Sequence, residues 1–225
     1  MIQCKSKLTA AAVAALLVIS LTGQSFAAVN PFTDITEHSA RDKILALYEK
    51  GIVKGVGNER FAPGTTVTAA QGIQMLVNAL GLNLDAVRFI KEPKATDYFP
   101  KADNNAWYAE ALIIAAVNGI ELPADLDPKE CWTKEKFTHY LVRAMELHNS
   151  LPLIKLNPVA IADEDQITVD YSGSIQRAIV VYGILSLKED GTLNPKAEIT
   201  RAEAAAEVYN ALEYLRAHPA PTTES

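Results

Sequence analysis

The chain has 225 residues, and its 27 acidic side chains outnumber its 21 lysines and arginines, which gives a formal net charge of −6. A chain this acidic lacks the basic surface that nucleic-acid phosphates require, so we expect no nucleic-acid partner. The length is sufficient to bury a sizeable core without disulfide bonds.

The chain begins with the pattern of a secretory signal peptide. Lys5 and Lys7 precede an apolar run of about 14 residues, and the small residues Ser25 and Ala27 occupy the −3 and −1 positions of a cleavage site. We expect cleavage after Ala27, which removes two lysines and no acid and brings the formal net charge to −8. The run is too short to span a bilayer, and no later stretch is apolar enough, so we expect no integral membrane segment after cleavage.

Cys131 is the only cysteine that remains after cleavage, because Cys4 leaves with the signal peptide. No disulfide can form within the mature chain, so stability must come from the burial of apolar side chains. We expect Cys131 to be buried and unreactive; a disulfide between two chains is the alternative.

Three landmarks recur along the mature chain at nearly constant spacing. A Gly-Ile dipeptide recurs after 68 and 64 residues. A proline two residues after an apolar residue recurs after 65 and 67, and so does a threonine that opens an apolar run. Independent landmarks in one register indicate an internal repeat of three units. The landmarks are Gly51-Ile52, Gly119-Ile120 and Gly183-Ile184; Pro63, Pro128 and Pro195; and Thr68, Thr133 and Thr200.

Each unit predicts a helix, a turn and a second helix. Before the first Gly-Ile, the residues Ile44, Leu47 and Tyr48 lie at i, i+3 and i+4, which places them on one apolar stripe. The glycine that follows can adopt the left-handed conformation that ends a helix. Gly, Asn, Asp and Pro then supply the turn, which leads to the threonine of the second helix.

The threonines suit the N-cap position of the second helices. Thr68 with Gln71, and Thr200 with Glu203, have the spacing of a capping box, in which each side chain bonds to the backbone N–H of the other residue. The second unit keeps its threonine, Thr133, but has a lysine three residues later, so we expect it to lose the reciprocal bond.

A unit of two helices has too little core to be stable alone, whereas three stacked units close a common core. We therefore predict an all-α fold of three tandem helix-turn-helix repeats, with no further domain after the third. The predicted boundaries are 1–27 for the signal peptide, 29–90, 91–156 and 157–216 for the repeats, and 217–225 for a disordered tail.

The order of these features resembles the S-layer homology family. The best matches to its motifs are GIVKGVGNERFAPGTTVT at 51–68 and ITRAE at 199–203, and the resemblance extends over essentially all of the mature chain. The resemblance implies a pseudo-threefold helical bundle that anchors an exported protein to the bacterial cell wall. It also implies that grooves between repeats hold a pyruvylated secondary cell-wall polysaccharide.

The binding positions that the resemblance implies are only partly retained. They are an arginine that opens the second helix, an aromatic residue in the first helix, an acid at the repeat start and a glycine after Gly-Ile. Arginine binds a pyruvate carboxylate through two parallel charge-assisted bonds, and sugar rings stack on aromatic faces. From the first to the third unit, the arginine position holds Ala69, Lys134 and Arg201, and the aromatic position holds Ser39, Trp107 and Tyr171. The acidic position holds Asp34, Asp97 and Asp163, and the glycine position holds Gly55 in the first unit and Leu187 in the third.

No unit carries the full set, so a binding groove has to combine residues of different repeats. We expect pairs such as Trp107 with Lys134, or Tyr171 with Arg201, and at most two competent grooves. For the aspartates, capping a helix or fixing a turn is the alternative role. The predicted polysaccharide-binding residues are Arg201, Lys134, Trp107, Tyr171, Asp34, Asp97, Asp163 and Gly55.

Enzyme chemistry finds little support in the sequence. There is no His-x-x-x-His, Gly-x-Ser-x-Gly or phosphate-binding glycine loop, so we expect no catalytic residue, metal site or cofactor. We predict a secreted protein of the cell wall or extracellular surface that binds secondary cell-wall polysaccharide. The alternative is a set of diverged repeats that act as a structural module or bind a protein partner at the cell surface. An exported hydrolase would need a recognisable pair of acids, which the sequence lacks.

Overall fold

The computed structural model describes residues 30–149, 151 and 154–219. The predicted signal peptide, at 1–27, lies outside these residues, as do residues 220–225 of the predicted tail, whose first residue, Ala217, ends the last helix. Within the described ranges the chain forms seven α-helices, two short 3-10 turns and four isolated β-bridges, and no strand. The prediction of an all-α fold is therefore confirmed.

The helices follow the predicted order, with one short extra helix at the start of the second unit. The first unit holds α1 and α2, the second α3 to α5, and the third α6 and α7. The glycine of each Gly-Ile dipeptide has a φ between 60° and 76°, which confirms the left-handed turn after each first helix. The helices are α1 (Arg41–Glu49), α2 (Ala69–Leu80), α3 (Ala95–Tyr98), α4 (Ala109–Val117), α5 (Lys134–Asn149), α6 (Val169–Val180) and α7 (Arg201–Ala217), and the 3-10 turns cover Thr33–Ile35 and Glu164–Gln166.

The three units are arranged around a pseudo-threefold axis, as predicted. The second helices, α2, α5 and α7, pack against one another at the centre of the bundle. Each longer first helix packs against the second helix of the preceding unit: α4 against α2, α6 against α5, and α1 against α7. Because α1 and α7 belong to the first and last units, this order closes into a circle.

A ring of three backbone hydrogen bonds joins the units one residue before each N-capping threonine. The amide of Val67 donates to the carbonyl of Ile199 at 3.0 Å, Ile199 donates to Trp132 at 2.9 Å, and Trp132 donates to Val67 at 2.9 Å. All three residues are fully buried. Each unit donates one bond and accepts one, so the ring closes only when all three units are in place.

The first two amides of each second helix are satisfied by the turn of the next unit. Such amides have no partner within their own helix. Ala69 and Ala70, for example, donate to the carbonyls of Glu130 and Pro128 at 2.8 and 3.0 Å. The recurring proline therefore carries an accepting carbonyl in each unit. The equivalent bonds run from Lys134 and Glu135 to Ala197 and Pro195, and from Arg201 and Ala202 to Thr65 and Pro63.

The predicted N-caps are present. The capping boxes at Thr68 and Thr200 each have both reciprocal bonds. In the second unit the hydroxyl of Thr133 accepts from the Lys136 N–H at 3.4 Å, and a lysine side chain cannot accept the return bond. The sequence pattern therefore predicted both the caps and the difference between the units.

Trp132 lies in the centre of the core, packed tightly against α2. An added Cβ on Gly72 would stand 2.7 Å from a carbon of the indole, so the helix needs a glycine at this point. The expectation that the neighbouring Cys131 is buried is wrong, because its side chain is exposed and its sulfur lies 3.4 Å from the hydroxyl of Thr66. Successive side chains of an extended segment point in opposite directions, so burial of Trp132 turns Cys131 toward solvent.

Glu207 of α7 is buried beside Thr138 of α5. The Thr138 hydroxyl lies 2.8 Å from the Glu207 carboxyl and 2.9 Å from the carbonyl oxygen of Lys134. One hydroxyl proton serves one acceptor, so both bonds form only when a protonated Glu207 donates to Thr138 and Thr138 donates to Lys134. Burial raises the pKa of Glu207 to about 8, and the nearby Glu203 adds to the rise. A neutral carboxyl at pH 7 follows from both observations.

The buried carboxyl should make stability fall as pH rises. Between the ordinary pKa of a glutamate and about 8, folded Glu207 holds a proton that the unfolded chain has released, so the free energy of unfolding decreases across this range. We expect a loss of about 2–3 kcal/mol from about pH 6 to about pH 9, because one pKa unit corresponds to about 1.4 kcal/mol.

The Glu207→Gln variant is the matched control for this pH dependence. Its amide stays uncharged and can still bond to Thr138, so its stability should change much less over the same range. Urea unfolding at several pH values measures both proteins. Parallel pH profiles for the wild type and the variant would contradict the assignment of the effect to Glu207.

Candidate functional site

A cavity of about 560 Å³, here called the first groove, opens where the three units meet. Its walls are the turn after α1 and one face of α2, and each of the other two units adds one residue. Three of the predicted binding residues, Gly55, Trp107 and Arg201, therefore come together here from three different repeats. The lining consists of residues 51–56, Phe61, Gln71, Gln74, Met75, Asn78, Trp107 and Arg201.

Arg201 is the first residue of α7, and the docking of that helix on the first unit carries its guanidinium into the groove. The Nε–H donates to the carbonyl of Phe61 at 2.9 Å, and Nη2 donates to the carbonyl of Lys54 at 2.7 Å. The guanidinium carbon also lies 4.6 Å from the centre of the Phe61 ring. Burial lowers the pKa of Arg201, and the nearby Asp34 opposes this effect. A guanidinium has five N–H donors, so three remain for a ligand.

Trp107 forms the rim of the groove, just before α4. Its side chain is 64% exposed, whereas the adjacent Tyr108 is buried and meets the indole edge-on, with ring centres 5.5 Å apart. The packing of α4 on α2 therefore presents a large aromatic face to solvent at the cavity that Arg201 also lines. An exposed indole and a cation that line one cavity form a suitable surface for a sugar ring that carries an acidic group.

Gly55 forms part of the wall because no larger residue fits there. A Cβ at this position would stand 2.6 Å from a carbon of the Phe32 ring and 2.8 Å from the carbonyl oxygen of Arg60. The neighbouring Val56 N–H donates to that same Arg60 carbonyl at 2.8 Å. The glycine therefore lets the turn fold tightly against Phe32.

The face of α2 that lines the groove carries three carboxamides that were not predicted. Gln74 Nε2 donates to Asn78 Oδ1 at 2.8 Å, and Asn78 Nδ2 donates to the carbonyl of Ile52 at 3.3 Å. Gln71, also in the lining, belongs to the capping box. These residues lie at i, i+3 and i+7, so a polar stripe on an otherwise apolar helix was the sequence signal for them.

Two of the predicted acidic residues hold the turn that precedes the second helix. The carboxylate of Asp34 accepts from the backbone N–H groups of Phe61 and Ala62, both at 2.8 Å. Asp163 makes the equivalent bonds to Leu193 and Asn194, at 2.9 and 2.7 Å. Burial alone would raise the pKa of Asp34, but these backbone bonds and the side chain of Arg60 hold it below its usual value.

Among the residues that the structure describes, Asp97 bonds within its own segment. Its carboxylate accepts from the Lys94 N–H at 3.0 Å and lies 3.8 Å from the ammonium group of Lys91. None of the three aspartates is part of the lining of the first groove. The structure therefore gives Asp34 and Asp163 the turn-fixing role that was the alternative in the sequence.

Lys134 opens α5 as Arg201 opens α7, and the surface beside the turn of the third unit, which it meets, is here called the third unit's groove. Its amide docks on the turn of the third unit, and its Nζ lies 2.6 Å from Glu203 Oε1. Burial would raise the pKa of Glu203, but the bonds from Lys134 and Thr200 lower it, so this is an ion pair. Ser39, ahead of α1, holds the aromatic position of this groove.

Tyr171, on α6, holds the aromatic position for the turn of the second unit, and the surface beside that turn is here called the second unit's groove. It packs on His139 of α5, with ring centres 4.3 Å apart. Burial lowers the pKa of His139, with Arg143 and Arg177 adding to the effect, so its imidazole is uncharged at pH 7. Ala69 holds the arginine position here. This groove therefore has an aromatic residue but no cation from the start of a second helix.

The first groove brings Trp107 to Arg201, which is neither of the pairs expected from the sequence. The reason is the circular order of the units. A second helix docks its N-terminus on the turn of the next unit, whereas a first helix packs on the second helix of the preceding unit. Each groove therefore combines a turn from one unit with single residues from both of the others.

Comparison with known proteins identifies parts of the first and third units. The family model for the S-layer homology domain matches residues 31–71 and 177–205, which include Gly55 and Arg201. The chain is 30% identical over 185 residues to the exoglucanase XynX of Acetivibrio thermocellus, and 27% identical over 217 residues to the surface-layer 125 kDa protein of Lysinibacillus sphaericus. These alignments cover 81% and 93% of this chain, but 16% and 17% of the two relatives.

The predicted resemblance is therefore confirmed, and the chain carries S-layer homology domains. It is also 28% identical over 214 residues to the S-layer protein sap of Bacillus anthracis, which covers 88% of this chain and 23% of that relative. This is a cell-surface anchoring module, and its location is the cell surface or the extracellular space. None of the helices in the described ranges is long and apolar enough to cross a bilayer.

Asp34 should contribute more to stability than Asp97. The Asp34→Ala change leaves two backbone N–H groups of the turn without a partner, so we expect it to cost about 1–3 kcal/mol in the free energy of unfolding. The Asp97→Ala change removes one backbone bond and an exposed ion pair, so its cost should be below about 1 kcal/mol. Urea unfolding of both variants measures the difference, and equal losses would show that Asp34 does not hold the turn.

Proposed function

We propose that the chain attaches to the bacterial cell wall by binding an acidic secondary cell-wall polysaccharide in the first groove. The observation that carries this proposal is the meeting of Arg201, Trp107 and Gly55 in one cavity of about 560 Å³. A guanidinium, an exposed indole and a row of carboxamides are the groups that recognise a charged sugar. The residues come from three repeats, so their meeting is a property of the folded bundle.

The charged part of the ligand would bind Arg201. Two carbonyls hold the guanidinium in place, and the N–H groups that remain can donate two parallel bonds to one carboxylate. Because the side chain is already fixed and partly desolvated, binding would order little more of it. A pyruvate ketal on a sugar supplies a carboxylate of the required kind, and we propose it as the acidic group.

The sugar ring itself would stack on Trp107 and bond to the carboxamides. Gln74 donates one N–H to Asn78, which leaves its carbonyl oxygen and its second N–H for hydroxyl groups of the ligand. Hydroxyls both donate and accept, so an amide row suits them. The lining includes Lys54 and Arg201 but no carboxylate, which favours an anionic ligand and a non-catalytic role.

We propose that each chain has one such site. The second unit's groove has Ala69 in place of the arginine, and the third unit's groove has Ser39 in place of the aromatic residue. In that third groove Lys134 is also neutralised by Glu203 at 2.6 Å. Lys134 and Tyr171 then serve the packing of the bundle, and Asp34, Asp163 and Gly55 position the turns.

Two of the three grooves lack one of the binding residues, and this also supports a second candidate function. Repeats that no longer bind sugar can serve as a protein–protein interaction module at the cell surface. The two candidates differ in whether the first groove is needed for attachment, and one substitution separates them.

The Trp107→Ala variant should lose wall binding without losing stability. The indole is 64% exposed, so its removal should change the free energy of unfolding by less than about 1 kcal/mol. If it is the surface on which the sugar stacks, affinity for isolated walls should fall about tenfold or more. Co-sedimentation of the mature chain with cell walls measures this.

Two controls accompany this experiment. Walls stripped of secondary polysaccharide should bind neither protein, and the Val169→Ala variant, which changes an apolar residue that is 87% exposed outside the groove, should bind like the wild type. Equal binding by wild type and Trp107→Ala would overturn the groove proposal. Equal binding to stripped and unstripped walls would favour the protein-interaction candidate. Arg201→Ala is a poorer test, because Arg201 also holds two carbonyls of the first unit.

A further inference from the structure

A bond that recurs between units orients the side chain of Asn78 in the first groove. Asn78 Nδ2 donates to the carbonyl of Ile52, the isoleucine of the first Gly-Ile dipeptide, at 3.3 Å. In the third unit Asn210 Nδ2 donates in the same way to the carbonyl of Ile184 at 2.7 Å. A backbone carbonyl can only accept, so the amino group of Asn78 has to face Ile52. Asn78 Oδ1 is therefore turned the other way.

The orientation of Asn78 in turn fixes that of Gln74, one helical turn earlier on α2. Asn78 Oδ1 can only accept, and Gln74 Nε2 donates to it at 2.8 Å. The partner of Asn210 Oδ1 in the third unit is instead the ammonium group of Lys43, at 2.9 Å. Because its amino group is held by Asn78, Gln74 offers its carbonyl oxygen and its second N–H to a ligand.

Gln74 Oε1 is an open acceptor in a groove whose side chains otherwise donate. The side-chain oxygens of Gln71 and Asn78 accept from the Thr68 N–H at 3.0 Å and from Gln74, whereas Gln74 Oε1 has no donor in the part of the chain that the structure describes. The other polar side chains of the lining can only donate, and they are Lys54, Trp107 and Arg201.

The fold does not require an amide at this position. The equivalent residues, six positions after the capping threonines of the other units, are His139 and Ala206. All three side chains are half-buried, and the same bundle forms around each of them. Gln74 is therefore a property of the first groove and not of the repeat.

We propose that Gln74 is a specificity-determining residue of the first groove, an inference that rests on the proposed function. Arg201 selects an acidic sugar, and Gln74 selects among acidic sugars for one that places a proton donor, a free hydroxyl or an amide N–H, at Oε1. A sugar that lacks this donor leaves Oε1 covered and unpaired, which opposes binding. Asn78 is a positioning residue, because it acts through Gln74.

Calorimetric titration of residues 28–225 tests the proposal with two probes. One is a soluble fragment of secondary cell-wall polysaccharide, and the other is that fragment after permethylation and saponification, which removes its O–H and N–H donors and restores its carboxylates. The Gln74→Met variant has a side chain of similar size without an acceptor oxygen, and it should bind the untreated fragment about tenfold or more weakly than the wild type does. Methylation should weaken binding by the variant at least about fivefold less than binding by the wild type.

Two further variants complete the design. Asn78→Ala combined with Gln74→Met should bind like Gln74→Met alone, and an additional loss would contradict the positioning role of Asn78. Val169→Ala, which changes a residue outside the groove, should bind both probes like the wild type. The unfolding midpoint of Gln74→Met in urea should match that of the wild type, because the fold does not need this amide.

The outcomes separate this inference from the proposed function. Binding of the untreated fragment that Trp107→Ala loses and Gln74→Met retains would overturn the role of Gln74 and leave the first groove as the binding site. Equal weakening of the wild type and Gln74→Met by methylation, complete loss included, would also overturn it. No binding by the folded wild type, or equal binding by the wild type and Trp107→Ala, would overturn the proposed function and this inference together.

Discussion

The fold depends on the ring of backbone hydrogen bonds between Val67, Trp132 and Ile199. Each bond joins a different pair of units, so one or two units cannot complete it. The ring also sets the positions of the second helices, because the threonine caps and the first helical turns follow immediately. From there the first amides of each helix reach the turn of the next unit. Burial of the ring residues shields these bonds from water, which favours a single arrangement of the three repeats.

The circular order explains how diverged repeats can keep one complete groove. Each groove takes its turn from one unit, its aromatic residue from the next and its basic residue from the one before. A substitution at the aromatic position of a unit therefore affects one groove, and a substitution at the basic position of the same unit affects another. Ala69 in the first unit leaves the second unit's groove without a cation, and Ser39 leaves the third unit's groove without an aromatic residue. The first groove keeps its glycine, tryptophan and arginine because each comes from the unit that retained it.

Local features of the fold could be predicted from the sequence, and contacts between units could not. The capping boxes, the left-handed glycines and the helical stripes depend on residues within a few positions of each other, and they were found where expected except at Tyr48, which is 40% exposed. The pairing of Trp107 with Arg201 depends on the order of the units around the ring, which spacing along the chain does not contain. The exposure of Cys131 likewise follows from the direction in which Trp132 enters the core.

The same limit applies to the aspartates and carboxamides. Asp34 was a plausible ligand contact in the sequence, yet its carboxylate faces the N–H groups of Phe61 and Ala62, 27 and 28 residues away. Gln71, Gln74 and Asn78 share a helical face, but only the packing of α4 and α7 around α2 makes that face a groove. Sequence position shows which residues share a face, and tertiary packing decides whether the face meets solvent, a neighbour or a ligand.

The measurement that tests this account most directly is calorimetric titration of the mature chain with a soluble fragment of secondary cell-wall polysaccharide. The account predicts one binding site per chain, which is lost in the Trp107→Ala variant and retained in the Tyr171→Ala variant. Two or three equivalent sites, or a titration that Trp107→Ala leaves unchanged, would contradict it.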